Sequence, residues 1–379
     1  MGARFLHSSD WQLGMVRASW PAESQARYAD DQIDTVRKLA RIAVERKCAF
    51  VVVAGDIFDS IRPTRRVRNR AMDALANFTM PVYLLPGNHD AASPAALWSD
   101  EDLINALPEQ VIVVQTSDLL SVPGVDAEVV GAPWPSKRPG SDLLSAVLRD
   151  LPKPEAGVVR VAIGHGGVDS ISPDRLDPDL ISVSEIQRAI LEQRATYVAL
   201  GDRHSVTRIA DAAWYSGAPM ATDYDEVDSG KTLVVDASPS GVSVEPIAVS
   251  SWCFLRQQFD ITGTESVTMV QSFLDNLDNK ERTAVRLALQ GTINLSTNAA
   301  LEEVLSRSRD IFAALEVSER RSGLVVIPDN DDLTSLELSG FAQDALEELA
   351  ALSKEGSSDK AQVATDALML LRRLAQSAS

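Results

Sequence analysis

"AFVVVAGDIFD", residues 49–59, decides the fold. A short, almost unbroken apolar run rich in β-branched residues reads as a strand buried on both faces, the pattern of a parallel sheet. The run stops at Gly55, and the next side chain is a carboxylate, Asp56. The same event recurs on either side of it. "ARFLHSS" (3–9) runs into Asp10, "PVYLLPG" (81–87) into Asn88, His89 and Asp90, "VVRVAIG" (158–164) into His165, and "TYVALG" (196–201) into Asp202, Arg203 and His204. One Gly-Asp after a strand is an ordinary turn. Five such ends in chain order, holding three of the chain's four histidines, are a site. In a layered α/β domain the carboxyl ends of parallel strands share one edge, where ligands bind.

Between these strands lie amphipathic stretches. Residues 24–47 are predicted to form a helix with Ile33, Val36, Leu39, Ala40 and Ala43 on one face, and a second helix is predicted over 64–78. "QVIVVQ" (110–115) and "AEVVGA" (127–132) add strands. Residues 206–246 show several short strands without a helix, which predicts an antiparallel sheet closing the domain. The rhythm then changes. From 251 to 328 the order is β-α-β-α-β, with the second helix predicted over 298–321, and 329–379 reads as two amphipathic helices broken at Gly356–Ser358. Their apolar stripes are Ala345, Leu346, Leu349 and Leu352, then Ala367, Leu368, Leu371 and Leu374. Such helices either pack back on the body or take a partner helix. Three segments follow: 1–250, 251–328 and 329–379.

At 379 residues the chain exceeds one ordinary core. No apolar run reaches the ~18 residues of a membrane span, and the opening residues show no signal-like stretch, so a cytoplasmic protein is expected. Cys48 and Cys253 are read as free thiols. A net charge of -18 argues against a non-specific nucleic-acid coat, because phosphate binding runs on Lys and Arg, but leaves local basic patches open.

The residues gathered at the strand ends suit two-metal phosphoester cleavage. Two divalent ions ~3.5–4 Å apart hold one phosphate, activate a water and stabilise the departing oxygen. A carboxylate between the two ligand sets bridges them, since it offers two anionic oxygens; Asp56 is the candidate. Carboxylate, amide oxygen and imidazole together suit Mn²⁺, with Mg²⁺ or Fe²⁺ as alternatives, better than a thiolate zinc site.

The ordered set "SSDWQLG", "AGDIFDS", "PGNHD", "GHGG" and "GDRH" resembles the calcineurin-like metallophosphoesterases. Within them "LHSSDWQLG", "GDIFDSIRPT", "LLPGNHD" and "WYSGAPMATDYDE" are similar to the SbcD group, the nuclease subunits of a DNA-repair complex. The resemblance implies a four-layer α/β/β/α sandwich with a small α+β capping domain and C-terminal partner-binding helices. It implies a first metal at Asp10, Gln12, Asp56 and His204, and a second at Asp56, Asn88, His165 and Asp202. His89 becomes the catalytic histidine that protonates the leaving oxygen, and Asp59 and Asp90 orient ligands from behind. Two positions depart from the pattern: the family's D-x-H opening has Gln12 here, and its G-H-x-H has Asp202. Asp202 keeps an anionic ligand, whereas the Gln12 amide oxygen either coordinates or holds a water.

"RPTRRVRNR" (62–70) follows the Asp56 turn and places Arg62, Arg65 and Arg66, with Arg68 and Arg70, near that edge. The arginines suit phosphate-backbone contacts; the plainer alternative is a helix face paired with neighbouring acids. The resemblance implies a Mn²⁺-dependent DNA phosphodiesterase, exonuclease or endonuclease, with an SbcC-like coiled-coil ATPase partner; a homodimer stays open. The rivals are a phosphodiesterase of nucleotides or small phosphoesters, and a catalytically weakened DNA-end scaffold subunit.

Overall fold

The structure is a computed structural model that describes residues 2–94, 96–174, 176–327 and 341–353, and 360, 361, 363, 364, 366–368, 370 and 371. It divides into two compact units, Met1–Trp252 and Cys253–Ser379.

In the first unit the chain runs β1 (Ala3–Ser8), α1 (Ala22–Glu45), β2 (Phe50–Ala54), α2 (Arg65–Leu75), β3 (Val82–Leu85), α3 (Glu101–Asn105), β4 (Val111–Val113), β5 (Leu120–Ser121) and β6 (Ala127–Gly131). It continues through α4 (Leu143–Asp150), β7 (Val159–His165), α5 (Val183–Leu191), β8 (Tyr197–Gly201), β9 (Thr207–Ala210), β10 (Ala213–Tyr215), β11 (Lys231–Ser238) and β12 (Gly241–Ala248). These strands make two six-stranded sheets, β12-β11-β1-β2-β3-β4 and β5-β6-β7-β8-β10-β9. β1 to β4 are parallel in the first sheet, and β6, β7 and β8 in the second.

Period-two alternation sends each buried strand into two cores. In β2, Val51 and Val53 join the core under α1 and α2, while Phe50, Val52 and Ala54 face the other sheet. There Phe50 stacks on Phe5 at 4.8 Å and both lie among Val161, Ile163 and Tyr197 of the second sheet. On its far side that sheet packs Ala162, Val198 and Leu200 against Leu144 and Leu148 of α4 and Ile186 and Ala189 of α5. The first unit is thus a four-layer α/β/β/α sandwich.

Local chemistry sets the helix ends. In α1 the predicted face is buried, and the helix stops where Lys47 turns left-handed (φ 57°) and Cys48 N donates back to Ala43 O at 2.8 Å. α2 starts at Thr64, whose hydroxyl accepts from Val67 N; such caps contribute ~1 kcal/mol.

Residues 206–246 do not form a sheet of their own. β11 and β12 extend the first sheet antiparallel to β1, and β9 and β10 extend the second. Unpaired backbone groups on β1 and β8 supply two edges, and a chain that must bury its N–H and C=O groups uses both.

The second unit holds β13 (Cys253–Asp260), α6 (Thr264–Asp275), β14 (Thr283–Ile293), α7 (Leu295–Arg309), β15 (Ala314–Val317), β16 (Gly323–Val326) and α8 (Phe341–Ser353). All strand pairs are parallel, and β14 pairs β13 on one side and β15, then β16, on the other. The helix predicted to run to 321 stops at Arg309. "ALEV" (314–317) favours a helix by propensity, but the open edge of β14 claims its backbone. Arg307 and Arg309 in the last turn were the signal for the stop. α8 buries Leu346 and Ala350 against Leu295 and Leu368. The expected break at Gly356–Ser358, and Leu374, lie outside the described residues. Among the described residues no helix is long and apolar enough to cross a membrane, and Cys48 and Cys253 are free.

Candidate metal centre

The carboxyl ends of β1, β2 and β3 meet those of β7 and β8 where the two sheets face each other. The turns after β1 and β2 stay zipped beyond their strands: Asp10 N donates to Gly55 O (3.0 Å), Gln12 N to Asp56 O (3.0 Å) and Leu13 N to Ile57 O (2.9 Å). This extension holds Asp10, Gln12 and Asp56 in left-handed backbone (φ 53°, 49° and 54°), and Asp202 after β8 is also positive (φ 98°). Such non-glycine positions cost ~1–3 kcal/mol each and persist only where the surroundings impose them. Two glycines let the sheets close. A Cβ on Gly55 would stand 2.1 Å from His165 Nδ1, and one on Gly201 would stand 1.7 Å from Ala54 O.

Asp10, Asp56 and His165 bring their ligand atoms within 4.8 Å of one another and are all buried. His165 Nδ1 lies 2.8 Å from Ala54 O and so donates there, which turns the Nε2 lone pair inward. Around Nε2 stand Asn88 Oδ1 (2.8 Å), Asp56 Oδ1 (3.4 Å) and Asp202 Oδ1 (3.8 Å). Three acceptors, and a fourth when the Asn88 oxygen is the inward end of its amide, gather there in the way a divalent cation requires. The Asn88 amide also fits reversed, its nitrogen then reaching His165 Nε2 (2.8 Å) and Asp56 Oδ1 (3.2 Å).

On the other side, His204 Nε2 is 3.7 Å from Asp10 Oδ1. Asp10 accepts from Ser9 Oγ (2.6 Å) and from Asp202 N (3.1 Å). Gln12 sits beside Asp56, but through its nitrogen: Nε2 donates to Asp56 Oδ2 at 2.9 Å, while Oε1 is buried without a partner. The Asp10 side therefore offers a carboxylate, an imidazole and a misdirected amide. An orphaned buried oxygen next to the shared carboxylate fits a cation that would turn it. The residues present fit two divalent ions, Asp56 being common to both sets.

The electrostatics follow from packing carboxylates and imidazoles together. Burial raises the Asp10 pKa to about 6, against His204 and His165. Burial works to raise Asp56 too, but His165 and His89 hold it below the usual carboxylate value. Burial opposes protonation of His165, yet Asp56, Asp10 and Asp202 raise it well above the usual imidazole range. Burial also pulls His204 down, but its hydrogen bond to Glu226 and the charge of Asp10 outweigh that and lift it to about 9.

His89 donates its backbone N–H to Asp56 Oδ1 (2.9 Å), and its Nδ1 lies 3.1 Å from Asp59 O and 3.6 Å from Asp59 Oδ1. Nε2 is left for a ligand. Asp90 acts through the backbone: fully buried, it accepts from Ile57 N (3.0 Å), Phe58 N (3.2 Å) and Gly87 N (2.8 Å), clamping the two turns that carry Asp56 and Asn88. Arg62, Arg65 and Arg66 are exposed and form no ion pair among the described residues, whereas Arg68 pairs with Asp100 (3.0 Å) and Arg70 with Asp30 (2.8 Å). Arg62 lines a separate cavity of about 420 Å³ with Pro63 and Leu97.

Sequence reasoning missed Thr222 and Glu226. His204 Nδ1 is 2.6 Å from Thr222 Oγ1 and 2.9 Å from Glu226 Oε1, and Glu226 accepts Thr222 N at 2.9 Å. This carboxylate fixes the tautomer that aims His204 Nε2 at Asp10. Its only sequence signal was the acidic end of "WYSGAPMATDYDE" (214–226), with no hint of which histidine it serves.

The sequence profile described as calcineurin-like phosphoesterase matches residues 3–205. The chain is 27% identical over 277 residues to a subunit of the SbcCD nuclease of Bacillus subtilis, covering 62% of this chain and 66% of that one, just under two thirds of its length. It is 21% identical over 322 residues to the DNA double-strand break repair protein Mre11 of Sulfolobus acidocaldarius, covering 79% of this chain and 78% of that one. A solved structure from Thermus thermophilus aligns over 66% of this chain and all of its own, at 13% identity and a TM-score of 0.41.

Proposed function

The chain belongs to the calcineurin-like phosphoesterase family, and from that premise we propose that it is a two-metal DNA phosphodiesterase, the nuclease subunit of an assembly with a coiled-coil ATPase. The observation that carries the chemistry is one buried carboxylate, Asp56, shared between two ligand groups, with His89 bonded to it through the backbone. Asp10, Gln12, Asp56 and His204 would hold one ion, and Asp56, Asn88, His165 and Asp202 the other. Three carboxylates among seven ligands favour Mn²⁺ or Mg²⁺.

When bound, the ions supply Lewis acidity to the phosphate and an activated water. The remaining work falls to the chain. His89, steadied at Nδ1 by Asp59, gives the proton from Nε2 to the leaving oxygen. Asp90 keeps the Asp56 and Asn88 turns in register, and Glu226 keeps His204 aimed. Arg62, Arg65 and Arg66, exposed and unpaired among the described residues, neutralise backbone phosphates in an otherwise acidic protein. The names of the Bacillus nuclease and the archaeal repair protein support DNA as the substrate and a multi-subunit setting.

Purified protein incubated with linear duplex, single-stranded DNA and bis-p-nitrophenyl phosphate, each with Mn²⁺ or Mg²⁺, tests the reading. DNA cleavage that requires metal is expected. Hydrolysis of the chromogenic ester alone would move the substrate to nucleotides or small phosphoesters; no turnover with a single ion bound would leave a scaffold.

A further inference from the structure

A cavity of about 720 Å³ opens from the His165 side of the centre, with Asn88 and Asp202 in its lining. Its size is that of sites which enclose a small ligand or a few nucleotides. Beside the carboxylates and imidazoles of the metal centre, in a chain of net charge -18, an anionic substrate reaches such a place only where cations offset the field. Among the described lining residues the cations are Lys137 and Arg138.

Three facts make these two residues part of a built wall. The loop that carries them is rooted in the centre: Trp134 Nε1 donates to His165 O (2.7 Å), Trp134 N to Pro86 O (3.2 Å), and Ala92 N to Trp134 O (2.8 Å). Ser136 Oγ donates to Arg138 O (3.0 Å), which shapes the turn where both cations stand. Neither side chain makes a hydrogen bond or ion pair among the described residues, so both are free for a ligand. The charge of Lys137 nevertheless reaches Asp59, where it opposes the upward push of burial on that carboxyl, and Asp59 is the residue that steadies His89. The other loop of the cavity carries Asp174, Asp177 and Asp179, together with Leu176, which is 92% exposed. Asp174 Oδ1 accepts from Leu176 N (3.1 Å) and Asp177 Oδ1 from Asp179 N (3.0 Å), so these carboxylates are held in place and repel phosphate. Among the described residues the cavity is cationic along one loop and anionic along the other.

We propose that Lys137 and Arg138 form a second phosphate subsite, which holds the phosphodiester adjoining the one being cut and keeps the backbone away from the Asp174–Asp179 loop. The subsite rests on the nucleic-acid reading above and adds to it the residues that measure chain length. Arg138 offers the planar fork for two phosphate oxygens and Lys137 a mobile point charge.

The test uses thymidine oligonucleotides that differ only in the number of phosphates beside the cleaved one, with Mn²⁺ and the full-length protein. In the wild type the first added phosphate lowers KM about tenfold, the return of one charge-assisted contact. In Lys137→Ala/Arg138→Ala this gain collapses to about twofold or less, and the salt dependence of KM flattens by ~0.7 per lost contact on single strands. Lys137→Arg keeps the gain, which separates charge from folding. A gain that survives in the double variant, or an equal loss with every substrate irrespective of phosphate number, overturns the subsite. Wild-type protein that hydrolyses bis-p-nitrophenyl phosphate but none of the oligonucleotides overturns the nucleic-acid reading itself, and the subsite with it.

Discussion

The two halves of the proposed centre flank Asp56 yet differ in kind. On the His165 side the Asp56 and Asp202 carboxylates and the Asn88 amide, which fits with either end inward, crowd within 3.8 Å of the imidazole Nε2. On the Asp10 side the amide of Gln12 spends its N–H on Asp56 Oδ2 and leaves its oxygen idle, and His204 stands 3.7 Å from Asp10 while leaning on Glu226. The first half sets two carboxylates around an imidazole nitrogen and needs only the oxygen-inward orientation of the Asn88 amide, one of the two that fit; in the second the Gln12 amide must rotate before its oxygen faces a metal. Metal binding is therefore expected to be sequential, tight at His165 and weak at Asp10.

The largest effect comes from removing what the halves share. Asp56→Asn deletes one anionic oxygen from both sets, and several kcal/mol of lost charge stabilisation corresponds to a fall of ~10³-fold or more in kcat/KM. Metal analysis should show both ions weakened together. Retention of one ion at wild-type affinity would mean that Asp56 serves a single half. Next comes Glu226→Gln, which acts on the Asp10 side alone. Loss of the carboxylate behind His204 should weaken metal binding on the Asp10 side ~10–100-fold, as outer hydrogen-bond partners commonly do, and leave the tight titration step in place. Two-step Mn²⁺ calorimetry reads both, and a shift in the tight step would break the assignment of halves.

How far these halves were legible depends on the range of the interaction. The strand ends were readable because each apolar run is punctuated by Gly or Ser and then by metal-competent residues, so Asp10, Asp56, Asn88, His165 and His204 stood out locally as candidates. The two-sheet sandwich followed from the same runs and the resemblance. The pairing of Glu226 with His204 spans 22 residues and a turn that no local pattern describes. The positive φ at Asp10, Gln12 and Asp56 is imposed by the zipped turns and leaves no mark on residues that are not glycine. Strand β15 was hidden for the opposite reason: Ala, Leu and Glu favour a helix, and only the waiting edge of β14 overrides them. Gln12 was visible as a departure, but that its nitrogen faces Asp56 is a matter of packing.

Gln12→His sharpens the contrast by removing it. The position is 1% exposed with φ 49°, a conformation that histidine tolerates better than most residues. An imidazole in place of the amide should tighten the weak Mn²⁺ step about tenfold and bring the two steps closer together. Activity at limiting Mn²⁺ should rise in parallel, while activity at saturating Mn²⁺ changes little. An unchanged second step would show that the amide already turns to coordinate in the wild type.

The remaining effect is the pH dependence of that weak step, and its sign follows from the groups on the Asp10 side. His204 must lose its proton to bind a metal, and its hydrogen bond to Glu226 and the charge of Asp10 lift its pKa to about 9. Below that value protons compete with the cation, so affinity rises with pH, by up to about tenfold per unit, and levels off as the pH passes the His204 pKa. Asp10, raised to about 6 by burial, adds a second competing proton only below that pH, where the slope should steepen. Calorimetry in buffers of different ionisation enthalpy counts the protons released, with about one expected per ion bound near pH 7.5. In Glu226→Gln the hydrogen bond that raises His204 is lost, so the plateau should be reached at lower pH even though its height falls. A plateau that stays near pH 9 in that variant would separate Glu226 from the proton on His204 and leave Asp10 alone to set the competition.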